Sequence, residues 1–212
     1  MKLYDYYRST ACYRVRIALH YKHIPFETCP IHLVNQGGEQ HLPQYLNINP
    51  QGLVPALEIN GAILTQSLAI IDYLEDSYPL PTLLPTDSFQ RAQIKSLALM
   101  IACDIHPLNN LRVLQQLKQA FSATETQTRQ WYHHWLKKGF DAFETQLQTL
   151  PRDIDVCFGN TISLADVCLI PQVYNAKRFQ FSLNDYPLIQ RINDYCLQQE
   201  AFIKASPKEE VL

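Results

Sequence analysis

Charge and glycine are scarce in this chain of 212 residues, and both shortages exclude classes of protein. Charged residues are 18% of the chain, below the roughly 25% usual for soluble domains. A disordered chain combines few apolar residues with a large net charge, whereas this chain is 47% hydrophobic with a formal net charge of -2. The near-neutral balance argues against nucleic acid as a partner. Six glycines without a repeating period exclude a collagen-like chain.

Long apolar runs, targeting signals and metal-ligand patterns are also missing. No stretch approaches the roughly 18 unbroken apolar residues of a membrane span. The N-terminus carries a charge by Asp5 and no apolar run follows, so we expect no signal peptide, no membrane partner and a cytoplasmic location. The six cysteines form no C-x-x-C pair and show no zinc spacing. We therefore expect no metal, and interpret most cysteines as buried, reduced thiols.

The first third of the chain has the pattern of a mixed α/β domain. Lys2–Tyr7 and Phe26–Leu33 are typical of strands. The residues between them have helical spacing, with Ser9 or Thr10 as the N-cap. This order predicts a parallel strand–helix–strand crossover.

A hairpin and a second helix complete that domain. Asn60-Gly61 lies between two apolar runs and predicts a type I′ turn, which needs positive φ at both central residues. Ser67 is expected to cap a helix over Leu68–Glu75 that stops near Pro79. A parallel crossover followed by an antiparallel hairpin makes a small mixed sheet rather than a doubly wound one.

Three prolines within Pro79–Pro85 predict a domain linker, because proline cannot continue a helix. Strand signals vanish after it. We therefore predict an α/β domain over residues 1–80, a linker over 81–87 and an all-α domain over 88–212. The predicted helices are Phe89–Phe121 interrupted at Pro107, Thr126–Leu150, one opened by a capping box of Ser163 and Asp166, and Leu188–Leu197. The tail Lys208–Glu210 is expected to fray.

Polar residues at two predicted helix starts are the first candidates for chemistry. Arg8, Ser9 and Thr10 precede the first helix, where free N–H groups and the positive helix end stabilise an anion such as a thiolate. Val54-Pro55 and Gln66-Ser67 are a second candidate, because a strand edge can pair with a peptide and a helix start can bind a carboxylate. The alternative for both is ordinary capping and turn chemistry with nothing bound.

The helical part offers weaker candidates. His106 and Asn110 belong to a polar cluster beside Pro107, and His106 is either an acid/base, a substrate contact or a satisfied core histidine. Arg178 suits bidentate binding of a carboxylate, although a lone helical arginine is usually solvated or ion-paired. Trp131, Tyr132 and Trp135 are interpreted as packing rather than as a ligand cage.

Five segments resemble motifs of the zeta class of glutathione transferases, and the likeness runs from about Lys2 to Phe202. They are Arg8–Leu19 (RSTACYRVRIAL), Asn49–Leu57 (NPQGLVPAL), Gln66–Ile70 (QSLAI), Cys103–Leu111 (CDIHPLNNL) and Ala165–Val173 (ADVCLIPQV). The resemblance implies a thioredoxin-like α/β N-terminal domain, an all-α C-terminal domain and a homodimer. It implies cis–trans isomerisation of maleylacetoacetate to fumarylacetoacetate in tyrosine and phenylalanine breakdown, with glutathione used catalytically and returned.

The same resemblance implies roles for individual residues. Ser9 would hydrogen-bond the glutathione sulfur as thiolate, with Thr10 in support. The other glutathione contacts would be Gln40, the Val54 backbone beside a cis Pro55, Gln66, Ser67, His106 and Asn110. Arg8 and Arg178 would hold the diketo acid substrate. The small net charge is expected to hide one positive pocket made by Arg8, Arg14, Arg16 and Arg178.

One departure from the family pattern matters, and several functions stay open. The usual motif cysteine is Ala11 here and Cys12 is displaced by one position, which turns a helical side chain by about 100°. A mechanism resting on Ser9 and glutathione is unaffected by this change. The alternatives are the same isomerisation of the shorter maleylpyruvate, conjugation of glutathione to electrophiles, and a non-catalytic binding module of the same fold.

Overall fold

The computed structural model describes residues 1–208, apart from the side chain of Gln36. The strands are β1 (Lys2–Asp5), β2 (Glu27–Pro30), β3 (Ala56–Ile59) and β4 (Ala62–Thr65). The α-helices are α1 (Thr10–Tyr21), α2 (Pro43–Leu46), α3 (Ser67–Ser77), α4 (Ser88–Leu99), α5 (Leu111–Phe121), α6 (Glu125–Thr149), α7 (Leu164–Arg178), α8 (Pro187–Cys196) and α9 (Glu200–Ala205). Glu209 and Glu210, where we expected fraying, lie outside the described residues.

The four strands form the predicted mixed sheet, in the order β2-β1-β3-β4. The β1–β2 pair is parallel, whereas β1–β3 and β3–β4 are antiparallel. Asn60 and Gly61 have φ values of 50° and 82°, so the hairpin turn has the predicted positive φ at both central residues. The predicted strand–helix–strand crossover and hairpin are both confirmed.

The register of this sheet brings four connecting segments to one of its ends. Tyr4 lies opposite Ala56, Asp5 lies opposite Pro30, and Ala56 lies opposite Thr65. The segments that follow β1, β2 and β4 therefore leave the sheet at the end where β3 is entered. Since these segments carry most of the candidate residues of the α/β part, the sheet topology itself gathers them.

The contacts within the chain divide it into two units, and the division differs from the predicted domains at the C-terminus. One unit is Met1–Thr82 together with the residues from Gln198 onward, and the other is Leu83–Leu197. Helix α9, which the sequence placed in the helical domain over 88–212, packs against α1 of the first unit. One reason is visible at Arg16, a buried side chain whose Nε donates to the Ala205 carbonyl at 2.9 Å.

Helices build the second unit, as predicted. Helix α4 continues into a π-helix, Met100–Ile105, where the His106 N–H donates to the Ile101 carbonyl at 2.9 Å. Pro107 follows directly, at the predicted interruption. Helix α6 passes close by, because a Cβ added to Gly139 would lie 2.2 Å from the Ile105 side chain. Within residues 1–208, no helix has the length and apolar character needed to cross a bilayer.

Asp166 confirms the predicted capping box at the start of α7. Its Oδ2 accepts from the Ser163 N–H at 2.8 Å and from the Ser163 hydroxyl at 2.7 Å. Its Oδ1 accepts from the Cys157 N–H at 2.7 Å. Burial raises the pKa of the Asp166 carboxyl, and these hydrogen bonds oppose that rise. The side chain therefore ties the preceding loop to the helix start.

Candidate functional site

Ser9 is the N-cap of α1, and the bonds around it leave its hydroxyl hydrogen available to a ligand. The Ser9 N–H donates to the Tyr6 carbonyl at 2.8 Å, and the Ser9 Oγ accepts from the Cys12 N–H at 3.2 Å. A hydroxyl has two lone pairs and one hydrogen, so accepting this bond does not consume its donor capacity. The first turn of a helix also carries partial positive charge. This position therefore suits an anionic sulfur.

Cys12 is not equipped to replace that chemistry. Its side chain is fully buried, and it shares an apolar cluster with Val54. Burial raises the pKa of the Cys12 thiol well above its usual range, and the negative charge of Asp5 adds to that rise. Cys12 therefore stays a neutral thiol in the core, and Ala11 has no thiol to offer.

The segment that enters β3 is braced from α2 and the turn after it. The Val54–Pro55 peptide is cis, as expected from the family resemblance. The Leu53 carbonyl accepts from the Tyr45 hydroxyl at 2.7 Å and from the Asn49 side-chain amide at 2.7 Å. Sequence reasoning missed Tyr45 in this role, because no local pattern shows that its hydroxyl reaches a residue eight positions away.

The start of α3 corrects the capping prediction. Ser67 is the first residue of the helix, and the N-cap is Gln66 with φ of 70° and no capping side-chain bond. The Gln66 amide instead donates to Gln51 Oε1 at 2.8 Å. The Ser67 hydroxyl accepts from Arg14, whose buried guanidinium lies 3.4 Å away. The helix start thus has a cation directly behind its first hydroxyl, which favours a bound carboxylate.

The predicted pocket of four arginines is wrong for Arg16. Its guanidinium forms a buried ion pair with Asp5 at 2.6 Å and also donates to the Tyr7 carbonyl at 3.0 Å. Arg16 is therefore neutralised and structural. Arg8 lies over the ring of Tyr7, with its guanidinium carbon 4.9 Å from the ring centroid. That contact orients Arg8 without neutralising its charge.

Gln40 presents a buried acceptor that the described residues do not satisfy. The side chain is buried in the turn before α2, where its Nε2 donates weakly to the Leu33 carbonyl at 3.4 Å. Its Oε1 has no hydrogen-bond partner within residues 1–208. A buried acceptor left without a donor is costly, so this atom is suited to a ligand N–H or O–H.

The remaining candidates belong to the second unit. His106 ends the π-helix, and Asn110 is the N-cap of α5, where its Oδ1 accepts from the Arg112 N–H at 3.1 Å. Arg178 is the last residue of α7, and its guanidinium donates to Asn175 Oδ1 at 3.0 Å. The structure therefore gives Asn110 a capping role and leaves Arg178 exposed on a helix end.

Known proteins match both the sequence and this arrangement. A family model described as the N-terminal domain of glutathione S-transferase matches residues 3–82. The maleylacetoacetate isomerase of Pseudomonas aeruginosa is 47% identical over 208 residues, 98% of this chain and 96% of that protein. The holo structure of a bacterial maleylpyruvate isomerase, described as a zeta-class glutathione S-transferase, is 42% identical with a TM-score of 0.96, and covers 100% of both chains. The chain belongs to the zeta class of the glutathione transferases.

A second solved structure extends the likeness to a liganded relative. The maleylacetoacetate isomerase of Methylobacterium extorquens AM1, solved with bound malonate and glutathione, is 38% identical with a TM-score of 0.93. The match covers 98% of this chain and 96% of that one. In this zeta-class transferase the candidates Ser9, Val54 and Gln66 come together at one end of the sheet, while His106 and Arg178 belong to the helical unit.

Proposed function

We propose that this enzyme catalyses the glutathione-dependent cis–trans isomerisation of maleylacetoacetate to fumarylacetoacetate, in tyrosine and phenylalanine catabolism. The observation that carries the proposal is the similarity to curated maleylacetoacetate isomerases across nearly the whole chain. The geometry at Ser9 supports it, because this reaction needs a stabilised thiolate beside a cationic anchor for a dianionic substrate.

The residues of the first unit fit glutathione as the cofactor. A tripeptide thiol needs a donor for its sulfur, a cationic helix start for its carboxylate and acceptors for its N–H groups. Ser9 supplies the first, the α3 start backed by Arg14 supplies the second, and the unsatisfied Oε1 of Gln40 is one of the acceptors. The proposed glutathione contacts are Ser9, Thr10, Gln40, the Val54 backbone, Pro55, Gln66, Ser67, His106 and Asn110.

Bound glutathione supplies a thiolate that adds reversibly to the cis double bond, so that rotation about the resulting single bond becomes possible. The protein stabilises the negative charges of the thiolate and of the substrate. The Ser9 hydroxyl donates its hydrogen to the sulfur and lowers the thiol pKa, while the positive end of α1 acts in the same direction. Arg8 and Arg178 bind the carboxylate and the enolised keto oxygens of the substrate. No step requires a protein cysteine.

The experiment that tests this function is turnover of maleylacetoacetate by purified enzyme with and without glutathione, compared with the Ser9→Ala variant. We expect Ser9→Ala to lose about 100-fold or more in kcat/KM, since one positioned donor to a developing anion is worth that much. Asp87→Ala is the matched control, because Asp87 caps α4 by accepting from the Gln90 N–H at 2.9 Å. This variant removes the N-cap of a different helix, which carries none of the proposed glutathione contacts. Near-normal activity of Ser9→Ala would refute the assigned role.

Maleylpyruvate is the second candidate substrate. The observation in its favour is the maleylpyruvate isomerase structure, which superposes on the whole chain with a TM-score of 0.96. Parallel assays with both cis-diketo acids at equal enzyme and glutathione separate the two. A higher kcat/KM for maleylpyruvate would overturn the first choice.

Two further functions are separated by simple measurements. Stoichiometric loss of free glutathione during turnover would indicate conjugation to an electrophile, whereas isomerisation returns the thiol. Absence of glutathione binding in calorimetry would indicate a non-catalytic module of the same fold.

The working assembly is proposed to be a homodimer, as the family resemblance implies. Large apolar side chains exposed on α4, Phe89 at 70% and Leu99 at 45%, support a surface that a second copy covers. Light scattering after size exclusion tests it, and a mass near the 24.5 kDa of one chain would contradict it. A cytoplasmic location stays a prediction.

A further inference from the structure

Two successive residues of α6 hold the turn that carries His106 and Asn110. The indole Nε1 of Trp131 donates to the Leu108 carbonyl at 2.8 Å. The side-chain amide of Asn109, which is buried, donates to the Tyr132 carbonyl at 3.3 Å. The turn is therefore bound to α6 through Leu108 and Asn109.

The same stretch of α6 also holds the end of α7, where Arg178 lies. The ring of the fully buried Tyr132 stacks on Phe179, with 3.9 Å between centroids and 8° between planes. The His133 Nε2 lies 2.8 Å from the Phe179 carbonyl. A carbonyl oxygen can only accept, so this contact places a hydrogen on Nε2. Phe179 directly follows Arg178, and its backbone is thus fixed from both its ring and its carbonyl.

Helical geometry explains how so short a stretch serves two segments. Consecutive side chains on a helix point about 100° apart, so Trp131, Tyr132 and His133 reach in different directions from one rigid backbone. Trp131 is itself fixed by an edge-to-face contact with Trp135 at 5.6 Å. We call Trp131–His133 the α6 platform.

We propose that the α6 platform is a positioning device for the helical part of the site, with Trp131 setting the His106–Asn110 turn and His133 setting Arg178. This inference rests on the proposed function, because it takes the turn as a glutathione contact and Arg178 as the substrate anchor. We call the Trp131 contact and the His133 contact the two arms of the platform, and each arm then affects a different ligand. Loss of the Trp131 arm weakens use of glutathione, and loss of the His133 arm weakens use of the diketo acid.

The test compares three variants of the full-length enzyme with the original. Trp131→Phe keeps an aromatic ring against Trp135 and removes the donor to Leu108. His133→Ala removes the bond to Phe179, and His133→Gln restores a donor at a similar reach. Misplacing a binding group by a fraction of an ångström has large kinetic effects, so we expect about a three- to tenfold rise in KM. The KM for glutathione should rise in Trp131→Phe, and the KM for the diketo acid should rise in His133→Ala. In both variants kcat should stay within about twofold of the original value.

The matched control is His134→Ala, since His134 is exposed and its ring contacts that of Trp135 at 5.0 Å, on a side of α6 that touches neither Leu108 nor Phe179 among residues 1–208. It should leave both KM values unchanged. Parallel changes in both KM values that follow the fall in Tm, with no rescue by His133→Gln, would show a merely structural role and overturn the proposal. Unchanged KM values in both arms would overturn it too.

Failure of the proposed function has a different signature. An original enzyme that turns over neither diketo acid refutes the isomerase assignment, whatever the variants do. In that case calorimetry with glutathione alone still decides the Trp131 arm. A three- to tenfold weaker Kd in Trp131→Phe supports positioning, and an unchanged Kd overturns it.

Discussion

A buried ion pair holds the segment around Pro81 against the rest of the first unit, and removing it should cost much stability. The Lys22 Nζ lies 2.7 Å from Glu75 Oε2 and donates to the Tyr78 carbonyl at 2.7 Å and the Pro81 carbonyl at 3.0 Å. The other carboxylate oxygen of Glu75 accepts from the Thr82 hydroxyl at 2.5 Å. The Lys22 side chain is 0% exposed and that of Glu75 is 6% exposed. All three hydrogens of the ammonium are therefore used, out of water.

Lys22→Met removes the ammonium and keeps most of the apolar stem. The carboxylate of Glu75 is then buried without its cation, and two backbone carbonyls lose their donor. Breaking a buried pair from one side costs about 3–5 kcal/mol, and the lost carbonyl bonds belong to the same network rather than adding to it. For a chain of 212 residues, with about 2–4 °C per kcal/mol, Tm should fall by roughly 6–20 °C.

Urea unfolding at one fixed protein concentration measures the loss, since the stability of the proposed dimer would depend on concentration. The two tryptophans, Trp131 and Trp135, both lie in the second unit. Their fluorescence therefore reports on that unit, whereas far-UV circular dichroism reports on both. Lys22→Met should lower the midpoint by circular dichroism at least as much as the midpoint by fluorescence.

Lys204→Met is the matched control, because Lys204 pairs with Glu200 across one helical turn with side chains 57% and 73% exposed. Solvent screens exposed pairs of this kind, and they contribute little to stability, so the control should stay close to the original protein. The double variant Lys22→Met/Glu75→Leu should recover part of the loss, since it leaves no buried charge. A loss under about 1 kcal/mol in Lys22→Met would refute the reasoning.

Two further predictions concern packing and thiol chemistry. Gly139→Ala should destabilise the enzyme by about 1–3 kcal/mol despite alanine's better helix propensity, because the added Cβ would lie 2.2 Å from Ile105. A raised urea midpoint would contradict that. Cys12 should resist iodoacetamide at pH 7.5 in the native enzyme and react in urea, because burial raises its thiol pKa. Mass spectrometry of the Cys12 peptide checks this, and native labelling as complete as in urea would be the contrary result.

Features set by a few consecutive residues were predictable from the sequence. Ser9 caps α1 and Asp166 closes a capping box, because each bond spans only three residues. The Asn60-Gly61 turn is similarly local, since its residue types alone favour positive φ. These local rules located the starts of α1 and α7 and the hairpin, and with them one end of the site.

Features decided by distant partners were not predictable in the same way. The sequence places a serine before an amphipathic run and predicts Ser67 as a cap, yet Gln66 with φ of 70° occupies that position. The packing of α9 on α1 likewise depends on Arg16 finding the Ala205 carbonyl, 189 positions further along the chain. Neither periodicity nor capping rules contain this information. The N-cap of α3 and the packing of α9 both depend on contacts with residues distant in the sequence.

The arginines of α1 show how this limit affects function. Arg14 and Arg16 are two positions apart, so their side chains leave the helix about 200° apart. The charge of Arg16 is compensated by the carboxylate of Asp5 in an ion pair, whereas Arg14 reaches Ser67 at the start of α3. Counting both as cations of one pocket overestimates the positive potential there. The attraction for an anionic ligand at this end of the sheet therefore rests on helix starts and on Arg8 and Arg14, whose effect falls off within a short distance.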